Sequence, residues 1–239
     1  MEPHKLTNVT AAILGGGLGT RLRSVVPDRP KVIAEINNKP FLAYLLEQLA
    51  NAGVKKVVIC IGYLGEQIKT TFGDSYNSLE LIYSQEQSQL GTAGALRLAL
   101  PLLESDSVLV LNGDSYCDTN LNDFWSRHLT KEAEASLLLT QVSDTKRYGR
   151  VEVKEEGQLL SFAEKVESSG PGWINAGIYL FKRHLLQKIP ENKPVSLERE
   201  LFPKWLGSSF YGYCSPSARF LDIGTPESYS SAVDFFQKI

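Results

Sequence analysis

The sequence lacks the features that mark several large classes of protein. It contains only three cysteines, which lie far apart and form no CxxC pair, and its three histidines do not accompany them. This spacing argues against a disulfide framework and a zinc site, and it fits a reducing compartment. The first residues lack the apolar core of a signal peptide. No apolar run approaches the roughly 18 residues that a membrane-spanning helix needs. We therefore expect a cytoplasmic location and no membrane partner.

An excess of charge of either sign is also absent. The 239 residues include 25 Lys and Arg against 27 Asp and Glu, so the formal net charge is -2. A nucleic-acid-binding protein is usually basic, and we expect no nucleic-acid partner here. The hydrophobic content of 43% and the charged content of 22% are those of an ordinary globular protein. Such a chain is long enough to bury a substantial core.

Strand and helix patterns alternate in the first half of the chain. Apolar or β-branched runs predict strands at 9–14, 56–61, 79–83 and 107–111, with a short extended piece at 33–36. Helical patterns lie between these strands at 40–53, 64–72 and 92–103. Such alternation predicts a parallel sheet covered by helices. The second half is richer in strands, which are predicted at 135–142, 150–154, 159–163 and 174–181. Helices return at 183–188, 196–206 and after Thr225. We expect one α/β domain over 1–239, with a mostly parallel, mixed central sheet. Its nucleotide-binding half would span about 8–120, and a smaller, β-rich lobe for a second substrate about 121–239.

The segment that follows the first strand organises the chain. The apolar run that ends at Leu14 is followed by three consecutive glycines, Gly15 to Gly17, and then by basic residues at Arg21, Arg23 and Lys31. Glycines at the end of a strand let backbone N–H groups approach a ligand closely. The basic residues indicate that the ligand is anionic. We interpret the segment as a polyphosphate cradle.

Two better-known glycine loops do not fit this segment. No Lys-Ser or Lys-Thr follows the glycines, as a P-loop requires. The dinucleotide pattern G-x-G-x-x-G fails at Thr20 or at Leu22, although Glu35 lies where a ribose-binding acid is expected. Pro27 and Pro30 would also interrupt the crossover helix of that fold. A glycine-rich turn with no ligand remains the alternative.

Two acidic residues are predicted to reach the same edge of the sheet as the glycines. Asp114 follows a buried strand in Asn112-Gly-Asp114, and Asp222 follows a short predicted strand, 218–221. Ligands of open α/β sheets bind beyond the carboxyl ends of strands. Mg²⁺ typically takes one or two carboxylates together with substrate phosphates. We therefore expect Asp114 and Asp222 to bind Mg²⁺; the alternative is that each is a turn or cap residue.

The order of the motifs resembles that of the sugar-1-phosphate nucleotidyltransferase family over nearly the whole chain. The motifs are Gly-Gly-x-Gly-Thr-Arg-Leu at 16–22, Pro30-Lys31, Leu-Gly-Thr-Ala-Gly-Ala at 90–95, Asn-Gly-Asp at 112–114, Glu164-Lys165, Asn175-Ala-Gly-Ile-Tyr179 and Asp222-Ile-Gly-Thr-Pro226. Within the family, the stretches 20–31 and 72–76 most resemble the D-glycero-α-D-manno-heptose 1-phosphate guanylyltransferases. The resemblance implies a Rossmann-like, GT-A-like fold, with GTP and a heptose 1-phosphate as substrates. It implies that a lipopolysaccharide, capsule or S-layer glycan would use the GDP-heptose, and a homo-oligomer is left open.

The resemblance also implies roles for particular residues. It implies that Arg21 and Lys31 are catalytic. It places the nucleotide at Leu14, Gly15, Gly16, Gly17, Gly19, Thr20, Glu86, Gly91, Thr92, Asn112 and Gly113. It places the sugar phosphate at Tyr148, Gly149, Glu164, Lys165, Asn175 and Glu198. A carboxylate can accept hydrogen bonds from two donors of guanine, which favours Glu86 as the base-reading residue.

Several alternatives stay open at this point. Glu86 could be an exposed loop acid, Glu164 and Lys165 a strand-edge ion pair, and Glu198 a solvated helix acid. The substrate could be mannose 1-phosphate with GTP, or another sugar with a thymidylyl or uridylyl donor. A non-catalytic subunit that senses nucleotide sugars is a further alternative. We disfavour that subunit, because Arg21, Lys31, Asp114 and Asp222 are all retained.

Overall fold

The computed structural model describes residues 5–163 and 170–237. Within these residues the strands are β1 (Thr10–Leu14), β2 (Glu35–Ile36), β3 (Lys39–Pro40), β4 (Lys56–Ile61), β5 (Ser75–Tyr76), β6 (Leu79–Gln85), β7 (Ser107–Asn112), β8 (Ser115–Cys117), β9 (Ala135–Val142), β10 (Arg150–Val153), β11 (Leu159–Ala163), β12 (Gly172–Lys182), β13 (Phe210–Cys214) and β14 (Phe220–Asp222). The α-helices are α1 (Phe41–Asn51), α2 (Gly65–Phe72), α3 (Gly91–Ala99), α4 (Leu121–Thr130), α5 (Arg183–Gln187), α6 (Phe202–Trp205) and α7 (Pro226–Gln237). A π-helical turn, Leu197–Leu201, leads into α6.

One ten-stranded sheet runs through both halves of the chain. Its order is β11-β10-β12-β7-β1-β4-β6-β5, and β9 and β13 extend it from β12. The strands β7, β1, β4 and β6 are parallel to their neighbours in this central part. The strands β1, β4 and β7 are almost uncharged apolar runs because helices cover both faces of the sheet. The predicted α/β fold with a mixed, mostly parallel central sheet is confirmed.

The second half of the chain attaches to this sheet in antiparallel fashion. The long strand β12 pairs antiparallel with β7, β9 and β10. Its register against β9 shifts between Asn175 and Tyr179, where Gly177 adopts a φ of +72°. A bulge re-aims side chains locally, and this one falls beside the cavity described below.

Two apolar cores lie on opposite faces of the sheet. One contains side chains of α1, α2, α4 and α7, including Phe41 and Phe124. The other contains side chains of α3, α5 and α6, including Leu96 and Phe202. Full burial of one such side chain stabilises the folded state by roughly 1.5–3 kcal/mol. These cores therefore hold the loops at the sheet edge in place. No helix among residues 5–163 and 170–237 is long and apolar enough to cross a membrane.

Some predicted elements differ from the observed ones. The helix predicted over 92–103 ends at Ala99 and continues as a 3₁₀ turn that contains Pro101. The helix predicted over 196–206 is a π-helical turn followed by α6, and the break coincides with Pro203. The extended piece predicted at 33–36 begins as a 3₁₀ turn, Lys31–Ile33.

The strand before Asp222 does not belong to the central sheet. It is β14, which pairs antiparallel with β8 in a separate two-stranded sheet. Asp222 therefore reaches the predicted edge through this small sheet, because Asp222 is in register with Ser115, the residue after Asp114. The backbone N–H of Ile223 also donates to the carbonyl of Asp114 at 2.9 Å. Thr225 and Pro226 stand at the start of α7, as predicted.

Candidate active site

The glycine loop begins where β1 leaves the sheet. The N–H of Gly15 donates to the carbonyl of Cys60 at 2.8 Å and so extends the ladder by one residue. Among the described residues, none accepts a hydrogen bond from the backbone amides of Gly16 to Thr20. Gly19 has a φ of +62°, which turns the chain back toward Lys31. The loop thus presents a run of free N–H donors, as an anion site requires.

A close approach between two strands fixes the base of this loop. The N–H of Gly113 donates to the carbonyl of Leu14 at 3.0 Å. A Cβ on Gly113 would lie 2.7 Å from that carbonyl oxygen, so only glycine fits there. The predicted residues Leu14, Asn112, Gly113 and Asp114 are therefore packed side by side at the carboxyl ends of β1 and β7.

Lys31 and Asp114 form an ion pair between Nζ and Oδ2. Their side chains are 17% and 27% exposed, so the pair is only partly accessible to water. Burial would raise the pKa of the Asp114 carboxyl, but the Lys31 ammonium and the Arg21 guanidinium outweigh burial and hold that pKa below its ordinary value. Asp114 is therefore a carboxylate at neutral pH, and Lys31 is held beside it.

A second cluster of charges surrounds Asp222. Its Oδ1 accepts a hydrogen bond from the N–H of Gly224 at 2.7 Å, and its Oδ2 lies 3.4 Å from Nη2 of Arg147. The same Nη2 donates to Oγ1 of Thr225 at 3.1 Å. Arg21 Nη2 would be 3.2 Å from a Cβ on Gly224. Arg21 and Arg147 thus flank Asp222, and Arg147 is a residue that the sequence did not single out.

A cavity of about 510 Å³ opens between the glycine loop and α3. Predicted nucleotide-binding residues line it, namely Leu14, Gly16, Gly17, Glu86, Gly91, Thr92 and Asn112, together with Lys31 and Asp114. Its size suits a drug-sized ligand. Burial raises the pKa of the Cys60 thiol in its wall to about 12. Cys60 is therefore a neutral thiol and is not suited to act as a nucleophile.

Glu86 is fixed at one side of this cavity. Its Oε2 accepts a hydrogen bond from the N–H of Leu90 at 3.0 Å. Its Oε1 lies 2.9 Å from the position of a Cβ on Gly16, so the carboxylate approaches the glycine loop closely. Burial raises the pKa of Glu86, and the Leu90 N–H opposes that shift only in part. Glu86 is therefore partly buried and held in one orientation. This placement does not fit the alternative in which Glu86 is an exposed loop acid.

A smaller cavity of about 160 Å³ adjoins the first one. The two share the lining residues Asn112 and Asp114. Residues predicted for a sugar phosphate or a metal line the smaller cavity, namely Tyr148, Gly149, Asn175, Glu198 and Asp222. Arg21 lines this cavity too. The structure thus brings the two predicted groups of residues together at a common boundary.

A hydrogen-bond network connects the two cavities through the buried hydroxyl of Tyr179. This hydroxyl accepts from Nδ2 of Asn175 at 2.9 Å and from Nδ2 of Asn112 at 3.2 Å, and it lies 3.4 Å from Oε1 of Glu198. Tyr179 is fully buried. It is the last residue of the motif that begins at Asn175, but no pattern in the motif distinguishes it as a site residue.

Glu198 is oriented by the hydroxyl groups of Thr92 and Ser196. Its Oε2 accepts from Oγ1 of Thr92 at 2.8 Å and from Oγ of Ser196 at 3.0 Å. Thr92 Oγ1 in turn accepts from the N–H of Leu197 at 2.8 Å. The hydroxyl of Thr92, predicted to bind nucleotide, is thus engaged with Glu198. Glu198 lies on a π-helical turn, which is a frequent feature of functional sites.

The predicted residues Glu164 and Lys165 lie outside the described residues. Among the described residues, no group of three or more His, Cys, Asp or Glu side chains could hold a metal ion. The two carboxylates of Asp114 and Asp222 line one cavity. This donor set fits Mg²⁺, which takes only one or two carboxylates when substrate phosphates supply further oxygens.

Comparisons with known proteins agree on one family. The profile of the family described as "Nucleotidyl transferase" matches residues 10–239. The chain is 37% identical to a D-glycero-alpha-D-manno-heptose 1-phosphate guanylyltransferase of Aneurinibacillus thermoaerophilus, over 93% of this chain and 96% of that protein. It is 36% identical to a mannose-1-phosphate guanylyltransferase of Mycobacterium tuberculosis, over 92% of this chain but only 62% of that protein. The crystal structure of HddC from Yersinia pseudotuberculosis, complexed with GMP-PN, is 33% identical and superposes with a TM-score of 0.84. That match covers 95% of this chain and 99% of HddC.

Proposed function

This chain belongs to the nucleotidyl transferase family, and from that premise we propose that it transfers GMP from GTP to D-glycero-α-D-manno-heptose 1-phosphate. The products are a GDP-heptose and pyrophosphate. One observation carries the proposal: a nucleotide-sized cavity and a smaller cavity meet at Asn112 and Asp114, beside Lys31. Two phosphorylated substrates bound in these cavities would place their phosphates at that boundary.

The chemistry explains why the site needs cations more than it needs a base. The attacking oxygen belongs to a phosphate monoester, whose second pKa is about 6, so it is already anionic at neutral pH. The barriers are repulsion between two anions and the charge that develops on the leaving pyrophosphate. The basic side chains Arg21 and Lys31 line the two cavities. They supply the positive charge that the reaction requires.

We assign the roles of the nucleotide side as follows. The free amides of Gly16 to Thr20 hold the triphosphate, and Arg21 neutralises its β- and γ-phosphates. Lys31 leaves Asp114 to bridge the α-phosphate and the incoming sugar phosphate. The carboxylate of Glu86 accepts hydrogen bonds from N1–H and N2–H₂ of guanine. The carboxylate of Glu86 is already fixed by Leu90 N–H, so reading the base needs little reorganisation.

Asp114 and Asp222 would hold Mg²⁺, which when bound supplies positive charge to the triphosphate. On the sugar side, Glu198 would accept hydrogen bonds from sugar hydroxyls, and Asn175 would accept or donate them. Tyr148 and Gly149 would line the sugar ring. The assignment of Glu164 and Lys165 as sugar-phosphate ligands rests on the sequence motif alone.

We also propose that the reaction takes place in the cytosol, where GTP is supplied. The thiols of Cys60, Cys117 and Cys214 are unpaired, which fits a reducing compartment.

A second candidate is GMP transfer to mannose 1-phosphate. The relative from Mycobacterium tuberculosis bears that name, at 36% identity. The same cavities and the same cations would serve this reaction, and the difference would lie in the contacts of the smaller cavity with the sugar. The base would be guanine in both cases.

The decisive experiment is a panel of substrates scored by pyrophosphate release. GTP, ATP, UTP and dTTP are each combined with Mg²⁺ and with heptose, mannose, glucose or N-acetylglucosamine 1-phosphate. We expect the highest kcat/KM for GTP with the heptose. A preference for UTP or dTTP would overturn the guanylyl assignment, and a preference for mannose would support the second candidate. No turnover with any pair would leave the sensing subunit as the better description.

A further inference from the structure

A separate cavity lies between α4 and β13, and we call it the α4 basin. It is defined by Arg127, His128, Lys131, Ser136, Tyr211 and Tyr213, and its volume is about 420 Å³. Among the described residues, it shares no lining residue with either cavity of the candidate active site. The reaction proposed above uses none of its side chains. Its volume falls in the range of small-molecule pockets.

The basin presents two cations over aromatic rings. Arg127 and Lys131 are four residues apart, so they project from the same side of α4 and its C-terminal cap. The Arg127 guanidinium lies 5.5 Å from the ring centroid of Tyr213, and the Lys131 ammonium lies 5.6 Å from that of Tyr211. Within the described residues, neither cation forms an ion pair. Both therefore offer a full positive charge to an anion.

The rim of the basin limits how much negative charge a ligand can carry. The turn after β10 contributes Lys154, but it also contributes the exposed carboxylates of Glu155 and Glu156. These two acids would repel a triphosphate or another polyanion. A ligand with one phosphate group suits the pair Arg127 and Lys131 better, because it can contact both cations at the wall without approaching the rim.

The floor of the basin contains an unsatisfied polar atom. His128 is only 2% exposed, and its Nδ1 lies 2.8 Å from Oγ of Ser136. Its Nε2 is buried and has no hydrogen-bond partner among the described residues. Three other buried side-chain atoms lack a partner among the described residues. Asn112 Oδ1 and Ser115 Oγ belong to residues that line the candidate active site, and Gln48 Oε1 lies elsewhere. A buried polar atom without a partner is costly. A small shift of the surrounding side chains that exposes His128 Nε2 would let a ligand hydroxyl satisfy this atom.

We propose that the α4 basin is a second ligand site, which binds a small phosphate monoester with a polar ring, either a sugar phosphate or a nucleoside monophosphate. The phosphate contacts Arg127 and Lys131, the ring packs against Tyr211 and Tyr213, and a hydroxyl group meets His128. The site is independent of the nucleotidyl transfer proposed above, because none of the described residues lines both the basin and the candidate active site.

The neighbouring Trp125 provides a local reporter for this binding. Its ring stacks on His128, with centroids 5.6 Å apart and planes at 20°. The indole N–H resonance is followed by NMR in the full chain without divalent metal, while glucose 6-phosphate, GMP or inorganic phosphate is added. The titrations use the Lys31→Ala background as well, which weakens binding of phosphates at the candidate active site.

We expect a saturable shift of the Trp125 resonance with at least one of the two esters. The ester with the lower Kd identifies the source, a sugar phosphate or a nucleotide. The double change Arg127→Gln with Lys131→Gln should raise that Kd at least tenfold and leave basal turnover unchanged. Lys188→Gln, at an exposed lysine elsewhere, should not change the Kd. Arg127 and Lys131 are both exposed, and Gln keeps a polar side chain while it removes the charge. A thermal melt checks that each variant is folded.

Three outcomes would overturn the proposal. The first is no shift of the Trp125 resonance with either ester. The second is an equal response to inorganic phosphate, since the ring would then not be recognised. The third is an unaltered Kd in the double variant. None of these outcomes bears on nucleotidyl transfer, which the substrate panel tests separately.

Discussion

The buried histidine His128 should make the stability of this protein depend on pH. Burial lowers the pKa of His128 from 6.5 to about 4, and the charge of Lys182 adds to that shift. Between about pH 4 and pH 6.5, the unfolded chain binds a proton at His128 and the folded protein does not. The free energy of unfolding should therefore fall as the pH decreases from about 6.5 toward 4.

The size of the effect follows from the shift in pKa. One unit of pKa corresponds to about 1.4 kcal/mol, so the full effect, reached below pH 4, is about 3 kcal/mol. With a folded pKa of about 4 and an unfolded pKa of 6.5, about 2 kcal/mol of that amount should already be lost at pH 5. Because the ring is only 2% exposed, solvent screening does not reduce this value much.

Urea unfolding at pH 7.5 and pH 5.0 measures the effect. His128→Asn cannot titrate, and its amide can keep the hydrogen bond to Ser136 Oγ. On acidification, the wild-type chain should lose about 2 kcal/mol more unfolding free energy than His128→Asn does. His184→Asn controls for the removal of a histidine from a more exposed position, where 46% of the side chain is accessible. Parallel losses in the wild type and His128→Asn would show that burial of His128 does not couple folding to protons.

Three further predictions concern the candidate active site and its support. Asp114→Asn and Asp222→Asn should each lower Mg²⁺-dependent pyrophosphate release about a hundredfold or more while the chain stays folded; retained activity in both variants would contradict the metal assignment. Glu86→Gln should lower kcat/KM for GTP roughly 10- to 150-fold, since hydrogen bonds to a charged group contribute about 1.5–3 kcal/mol; an unchanged value would remove Glu86 from base recognition. Gly91→Ala should destabilise the protein in urea by more than about 2 kcal/mol, because φ is +70° and the new Cβ would lie 2.6 Å from the carbonyl of Val195. Gly73→Ala, with φ of +62° and nothing within 4 Å, should cost only about 1 kcal/mol, and equal losses would refute the steric part of the argument.

The elements that could be predicted from the sequence are those fixed by local pattern. The strands 56–61 and 135–142 have the predicted bounds, because each contains an apolar or β-branched stretch and is followed by a residue that favours a turn, Gly62 or Ser143. The helix at Pro226 follows from its cap residues alone. In contrast, β13 was not predicted: its five residues include Gly212 and form a strand only by pairing with β9, more than seventy residues away.

The residues of the candidate active site also fall into two groups, those predictable from local motifs and those whose position depends on long-range packing. The glycine loop, Lys31 and Asp114 could be proposed from motifs, because the chemistry of phosphates demands those residue types. That Lys31 pairs with Asp114 in the structure depends on the packing of residues 83 positions apart. The position of Tyr179 between Asn112, Asn175 and Glu198 depends on the antiparallel pairing of β12 with β7 and on the bulge in β12. Long-range register of this kind leaves no local pattern in the sequence.

The proposed function requires that GMP is joined to a sugar 1-phosphate where the two adjoining cavities meet. The most direct test is ³¹P NMR of the wild-type chain with GTP, Mg²⁺ and D-glycero-α-D-manno-heptose 1-phosphate. We expect two coupled diphosphate resonances of a GDP-heptose, with one pyrophosphate formed for each, and none of these products with Lys31→Ala. Release of GDP and inorganic phosphate, or an unchanged spectrum of both substrates, would contradict it.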